Sequence, residues 1–152
     1  MNDVVIEPDE MVHDGPLDAA RSATVSRAFA ADDRIGAVVT FCGVVRRDAT
    51  SDGPVEAIEF SAHRAMAEER MRAIVRDRLH SVEGEGFMRV HVEHALGRVV
   101  VGECPIVIVV GAGHRREAFR LCEEILEEIK RDVPIYGKEI IDGESHRWKV
   151  NR

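Results

Sequence analysis

The chain has 152 residues, 45% of them hydrophobic, which suits one compact domain with a sizeable core and leaves too little length for two. Its formal net charge of -7 excludes the broad basic face of a nucleic-acid binder, so any anionic ligand must be held by local clusters of cations. The three cysteines, Cys42, Cys104 and Cys122, are widely spaced inside apolar runs and fit neither a disulfide framework nor a zinc site, and no apolar run approaches a membrane span.

The N-terminus, MNDVVIEPDEMV, carries acids where a secretory signal would carry bases, so a cytoplasmic protein is expected. Residues 1–16 read as a partly ordered extension with a short strand at Val4–Glu7 and little contribution to the core, and residues 17–152 as one domain. Leu17–Ala30 predicts a helix opened by Pro16 and Asp18, with Val25 and Phe29 on its buried face. Gly36–Arg46 is a β-branched run and predicts a buried strand ending at Arg46. The polar segment Arg47–Pro54 has turn chemistry throughout and is expected to be a mobile loop placed to act as a lid.

A strand at Val55–Phe60 and an amphipathic helix from about His63 to His80 follow, the helix ending in Ser81–Gly86. Met88–His94, Arg98–Val101 and Pro105–Val110 predict three strands with Gly97 and Gly102 at the turns. Gly111-Ala112-Gly113 leads into a helix over Arg115–Arg131, with Ala118, Cys122, Ile125 and Ile129 as its apolar stripe, and Pro134 ends it. Strands at Ile135–Ile141 and His146–Val150 flank a turn at Asp142-Gly143. Mixed hairpins and crossovers make the fold class α+β.

Strand, GAGHRR, then helix is the strongest local chemical signal. Glycines permit close backbone approach, and His114, Arg115 and Arg116 bring donors to a helix start where amides attract anions. The bland alternative is a surface helix that happens to start with cations. Arg46 ends a strand and Arg115 opens a helix, so the two are expected to face one anion-binding cleft. Lys130 near the far end of that helix is explained by the helix dipole alone. His91 and His94 fall on opposite faces of a strand, cannot easily share a metal, and are taken as structural, and Trp148 as an interface or core anchor.

Taken in order, Thr40-Phe41-Cys42-Gly43-Val44-Val45-Arg46, Glu59, Met66-Ala67, His94, Gly97, Gly102-Glu103, His114-Arg115, Ala118-Phe119, Lys130, Pro134-Ile135, Lys138-Glu139 and Arg147-Trp148 resemble the molybdopterin synthase catalytic (large) subunit family from about Leu17 to Arg152. The resemblance implies an α/β hammerhead with an additional antiparallel β subdomain. It also implies a homodimer carrying a small ubiquitin-like sulfur-carrier subunit at each end. The implied activity moves sulfur from the carrier's C-terminal thiocarboxylate to cyclic pyranopterin monophosphate, with no cofactor and no metal. By the same resemblance Lys130, Lys138 and Glu139 are catalytic, and Phe41, Arg46, His114 and Arg115 bind substrate. An arginine near the C-terminus is supplied across the dimer, Arg152 being one candidate and Arg147 the other.

The chain departs from the family pattern at Gly137, where a lysine is usual, and at His63, where an aromatic is usual. Two further functions compete: a non-catalytic paralogue that still docks a ubiquitin-like carrier, supported by Gly137, and a phosphate-sensing domain, which the HRR corner alone would allow.

Overall fold

The structure is a computed structural model that describes residues 4–82, 86–141 and 145–148, with the backbone alone for 145–147. The elements in chain order are β1 (Val4–Glu7), β2 (Val12–Asp14), α1 (Ala19–Ala30), β3 (Ala37–Cys42), β4 (Ala49–Thr50), β5 (Gly53–Ala62), α2 (Arg64–Ser81), β6 (Met88–Val100), β7 (Ile106–Ala112), α3 (Arg115–Asp132), β8 (Ile135–Ile141) and β9 (Ser145–Trp148). The strand order is β3-β7-β6-β5-β8-β9, all neighbours antiparallel, with β1 and β2 added in parallel to β6. The fold is α+β, as the sequence order of hairpins and crossovers implies.

Alternation along β7 explains its unbroken apolar run. Ile106, Ile108, Val110 and Ala112 face one core with α2 and α3, while Val107 and Val109 face a second core under Phe29 of α1. Strand β3 repeats the pattern, with Ala37, Val39 and Phe41 turned to the α2/α3 side and Val38 and Cys42 to the α1 side. Helix α3 contributes Ala118, Leu121, Cys122, Ile125 and Ile129, whose 3.6-residue spacing keeps one stripe against the sheet. Each fully buried aliphatic side chain in that stripe stabilises the domain by roughly 1.5–3 kcal/mol relative to exposure.

Four expectations from the sequence are corrected. Of the extension at 1–16, the described part does contribute to the core: Met11 and Val12 are buried, held by their backbone N–H groups donating to the Glu68 carboxylate at 2.8 and 2.7 Å. Strand β3 stops at Cys42 rather than Arg46, although Gly43 still donates to the Ile106 carbonyl at 2.9 Å. Segment 47–54 is a tight hairpin, Ala49 and Thr50 pairing with Pro54 and Gly53, closed by Thr50 Oγ1 donating to the Gly53 carbonyl at 2.6 Å. Met88–Val100 is one strand, not two: Gly97, at φ +87°, bends it where pairing passes from β7 to β5.

The expected turn at Asp142-Gly143 and the end of the last strand at Val150 lie outside the described residues. No helix among the described residues is long and apolar enough to cross a membrane.

Candidate active site

A cleft of about 760 Å³ opens where β3 ends, lined by the segment after β3, by β5, β6 and β8, and by the last turn of α3. Its apolar wall is Phe41, Phe60, Ile106, Ile129, Val133 and Ile135. Among the described residues five ionisable side chains also line it: Arg46, Asp48, His94, Lys130 and Glu139. This combination sets two cations and two carboxylates against an apolar wall.

The local chain explains each placement. Phe41 points to the α2/α3 side, so its neighbour Cys42 points away, its thiol donating to Ser22 Oγ at 3.5 Å under α1. Val45 is buried and pinned by its N–H to the Glu103 carbonyl at 3.0 Å, and this delivers Arg46 to the cleft mouth with 83% of its side chain exposed. The Arg46 guanidinium is forked onto Asp48, Nε to Oδ1 at 2.6 Å and Nη2 to Oδ2 at 3.2 Å. Lys130 follows buried Ile129 in the last turn of α3, where the helix dipole favours a cation.

Strand β8 sorts its residues by alternation. Ile135, Gly137 and Glu139 line the cleft, whereas Tyr136 and Lys138 fall on the other face. Lys138 therefore does not line the cleft beside Gly137. A Cβ on Gly137 would lie 3.1 Å from Ile58 Cγ2 and 3.3 Å from Phe60 Cε1, so a side chain there would press both back.

His114 and Arg115 are not in this cleft. They stand at the N-terminal end of α3 beside the end of β7 at Ala112, whereas Lys130 is at the C-terminal end of the same helix. The expectation that Arg46 and Arg115 face one cleft is therefore not met within a single chain, because the length of α3 separates them. Gly111 serves packing, since a Cβ there would come within 2.7 Å of Ile35 Cδ1, and a Cβ on Gly36 would collide with the Gly113 carbonyl. The His114 side chain makes no capping hydrogen bond. Arg152 and the side chain of Arg147 lie outside the described residues.

Sequence reasoning passed over His94, Phe60 and Trp148 as lining residues. His94 continues the row Val90, Val92 toward the α2/α3 side, and at its position the core gives way to the cleft. Periodicity assigned the face but not the opening. Trp148 is neither in the core nor buried, with 64% exposure at the cleft rim. His91 lies on the opposite face, its Nε2 2.9 Å from Glu93 Oε2. Burial alone would raise the Glu93 carboxyl, but His91, Arg21 and His13 together hold it below the usual range.

No thiol and no hydroxyl lines the cleft among the described residues. The buried thiols are also unfit as nucleophiles: burial pushes Cys122 up to about 11 and raises Cys104, with neighbouring Cys42 adding to the rise. Among the described residues no group of three or more His, Cys, Asp or Glu is arranged to hold a metal ion. Among the described residues the cleft therefore offers a lysine, an arginine, two carboxylates and an imidazole, a set equipped for electrostatic and acid–base work.

The comparisons name the family. The MoaE protein family model matches residues 12–132, and the chain belongs to this family, the molybdopterin synthase catalytic subunits, enzymes of molybdenum cofactor biosynthesis. The chain is 36% identical over 138 residues to the molybdopterin synthase catalytic subunit of Oryza sativa subsp. indica, covering 91% of this chain and 67% of that one. Its fold matches the molybdopterin synthase structure from Staphylococcus aureus with a TM-score of 0.80 at 25% identity, covering 95% and 98% of the two chains. It also shares the fold of a Helicobacter pylori chain, from a complex of subunits 1 and 2 of molybdopterin-converting factor, with a TM-score of 0.77 at 19% identity over 95% and 92%.

Proposed function

We propose that this chain takes sulfur from the C-terminal thiocarboxylate of a small ubiquitin-like carrier subunit and places it, in two successive transfers, on cyclic pyranopterin monophosphate to form the dithiolene. The observation that carries this is the cleft that gathers Arg46, Lys130 and Glu139 against an apolar wall, which supports a site for a phosphorylated ligand beside an amine and a carboxylate. Arg46 suits the phosphate, since its fork on Asp48 can be exchanged for one on phosphate oxygens. Lys130 is placed to polarise the thiocarboxylate carbonyl or to move a proton as sulfur leaves, and Glu139 to accept a proton nearby.

Family membership supports a homodimer with one carrier docked at each end, a heterotetramer acting in the cytoplasm. In such a dimer His114 and Arg115, which the cleft of their own chain does not reach, are available to the neighbouring cleft, as is Arg147 or Arg152. The test is incubation with thiocarboxylated carrier and the pterin precursor, followed by measurement of dithiolene product. Gly137 favours a second reading, a paralogue that docks the carrier without turnover, because the cleft wall lacks a second lysine there. Carrier binding without product would select that reading.

A further inference from the structure

His94 sits at the inner wall of the cleft, 9% exposed, with its ring edge-on to Phe60 at 5.2 Å between centroids and 80° between planes. Its backbone N–H donates to the Met11 carbonyl at 2.8 Å, and its Nδ1 lies 2.7 Å from the Ala95 carbonyl oxygen. A carbonyl can only accept, so Nδ1 carries the proton and Nε2 keeps a lone pair. Among the described residues Nε2 has no protein partner, and it is not among the sealed polar atoms that lack one, so it addresses the cleft.

Among the described residues the remaining ionisable groups of the cleft are the cations Arg46 and Lys130 and the anions Asp48 and Glu139. Trp148 at the rim can only donate. His94 is thus the one neutral side-chain acceptor among the described lining residues, and two contacts lock its ring. Burial pushes its imidazole down to about 4, so neither neutral pH nor mild acid converts it to a donor. A locked neutral acceptor between apolar walls selects a flat heterocycle that presents an N–H.

We propose that His94 is a specificity-determining residue whose Nε2 accepts a hydrogen bond from a ring or exocyclic N–H of the pterin precursor, fixing which edge of the heterocycle faces Lys130. This rests on the sulfur-transfer function proposed above. An analogue without that N–H is rejected because the acceptor is left unpaired in a buried wall.

The test compares His94→Asn with His94→Gln in the full chain, using thiocarboxylated carrier and the pterin precursor. Asparagine can keep a donor toward the Ala95 carbonyl but has no acceptor at the Nε2 position. Glutamine can put its carbonyl oxygen close to that position. Asparagine is expected to raise the KM for the precursor by about 10- to 100-fold with carrier affinity unchanged, and glutamine to recover most of that loss. Asparagine with a wild-type KM, or both variants impaired equally alongside equal falls in Tm, would overturn the proposal. A second measurement needs no variant: the Nε2 nitrogen resonance of wild-type protein should shift on saturation with precursor, and a resonance that stays put also overturns it. Wild-type protein that yields no product and binds no precursor removes the sulfur-transfer reading and this inference together. Product formation indifferent to His94 removes this inference alone.

Discussion

Lys130 and Arg115 stand at opposite ends of one helix, about 22 Å apart along its axis at 1.5 Å per residue. Both cations belong to the expected site, yet one rigid element holds them too far apart for a single ligand. In the homodimer proposed above, the two ends of α3 would serve different clefts.

Shared clefts predict complementation. Arg46→Ala and Arg115→Ala should each be nearly inactive as pure proteins. If every site draws Arg46 from one chain and Arg115 from its neighbour, a mixed dimer holds one intact site and one doubly damaged site. Unfolding and refolding the two variants together in equal amounts should therefore restore about a quarter of wild-type activity. Activity that stays at the level of the separate variants would place both arginines in the service of one chain.

The two lysines are predicted to differ. Lys130→Ala should lower kcat by on the order of a hundredfold or more with carrier affinity little changed, because the lysine sits in the cleft on a helix fixed by its buried stripe. Lys138→Ala should cost less than about fivefold, since β8 turns that side chain away from the cleft. Steady-state kinetics on both variants decides it, and a reversed order would transfer the catalytic role to Lys138.

Much of this was legible before the structure. The stripe on α3 fixed the direction of Ile129 and therefore of Lys130, whereas the family pattern put Lys138 and Glu139 in one site although β8 turns only Glu139 to the cleft. What escaped were features that depend on distant partners. Gly97 reads as a turn, but pairing on both sides of it keeps β6 continuous. Met11 looks like part of a loose tail until Glu68 of α2, far along the chain, accepts its N–H. His94 has the period of a core residue, and only the gap left between β3, β8 and α3 turns its position into a cleft wall.

Arg46 and Asp48 give a third prediction. Their ion pair is largely exposed, so it adds little to stability, but it competes with any phosphate for the guanidinium. Asp48→Ala should leave Tm within a degree or two and lower the KM for the phosphorylated precursor by about two- to fivefold at low salt. Raising the salt concentration should shrink the difference. A KM that rises instead would mean that Asp48 orients Arg46 for the ligand.

The last prediction concerns acid stability. An exposed imidazole titrates near 6.5, whereas burial brings His94 down to about 4 in the folded chain. Between those values the unfolded chain binds the proton and the folded chain does not, so stability rises with pH across that window. The contribution of neutral His94 is complete above pH 6.5 and is lost progressively as pH falls toward 4. By pH 4.5 the loss should reach about 2–3 kcal/mol. His94→Asn cannot titrate, so it should be the less stable protein at pH 7.5 and should close the gap on wild type as the solution is acidified. Urea unfolding at pH 7.5, 6 and 5 measures the gap directly. Glu93, held low by His91, Arg21 and His13, loses its own contribution only at more acid pH and is common to both proteins, so it cancels in the difference. A gap that stays constant from pH 7.5 to 5 would mean that His94 protonates in place, and that it is not the locked neutral acceptor the cleft geometry describes.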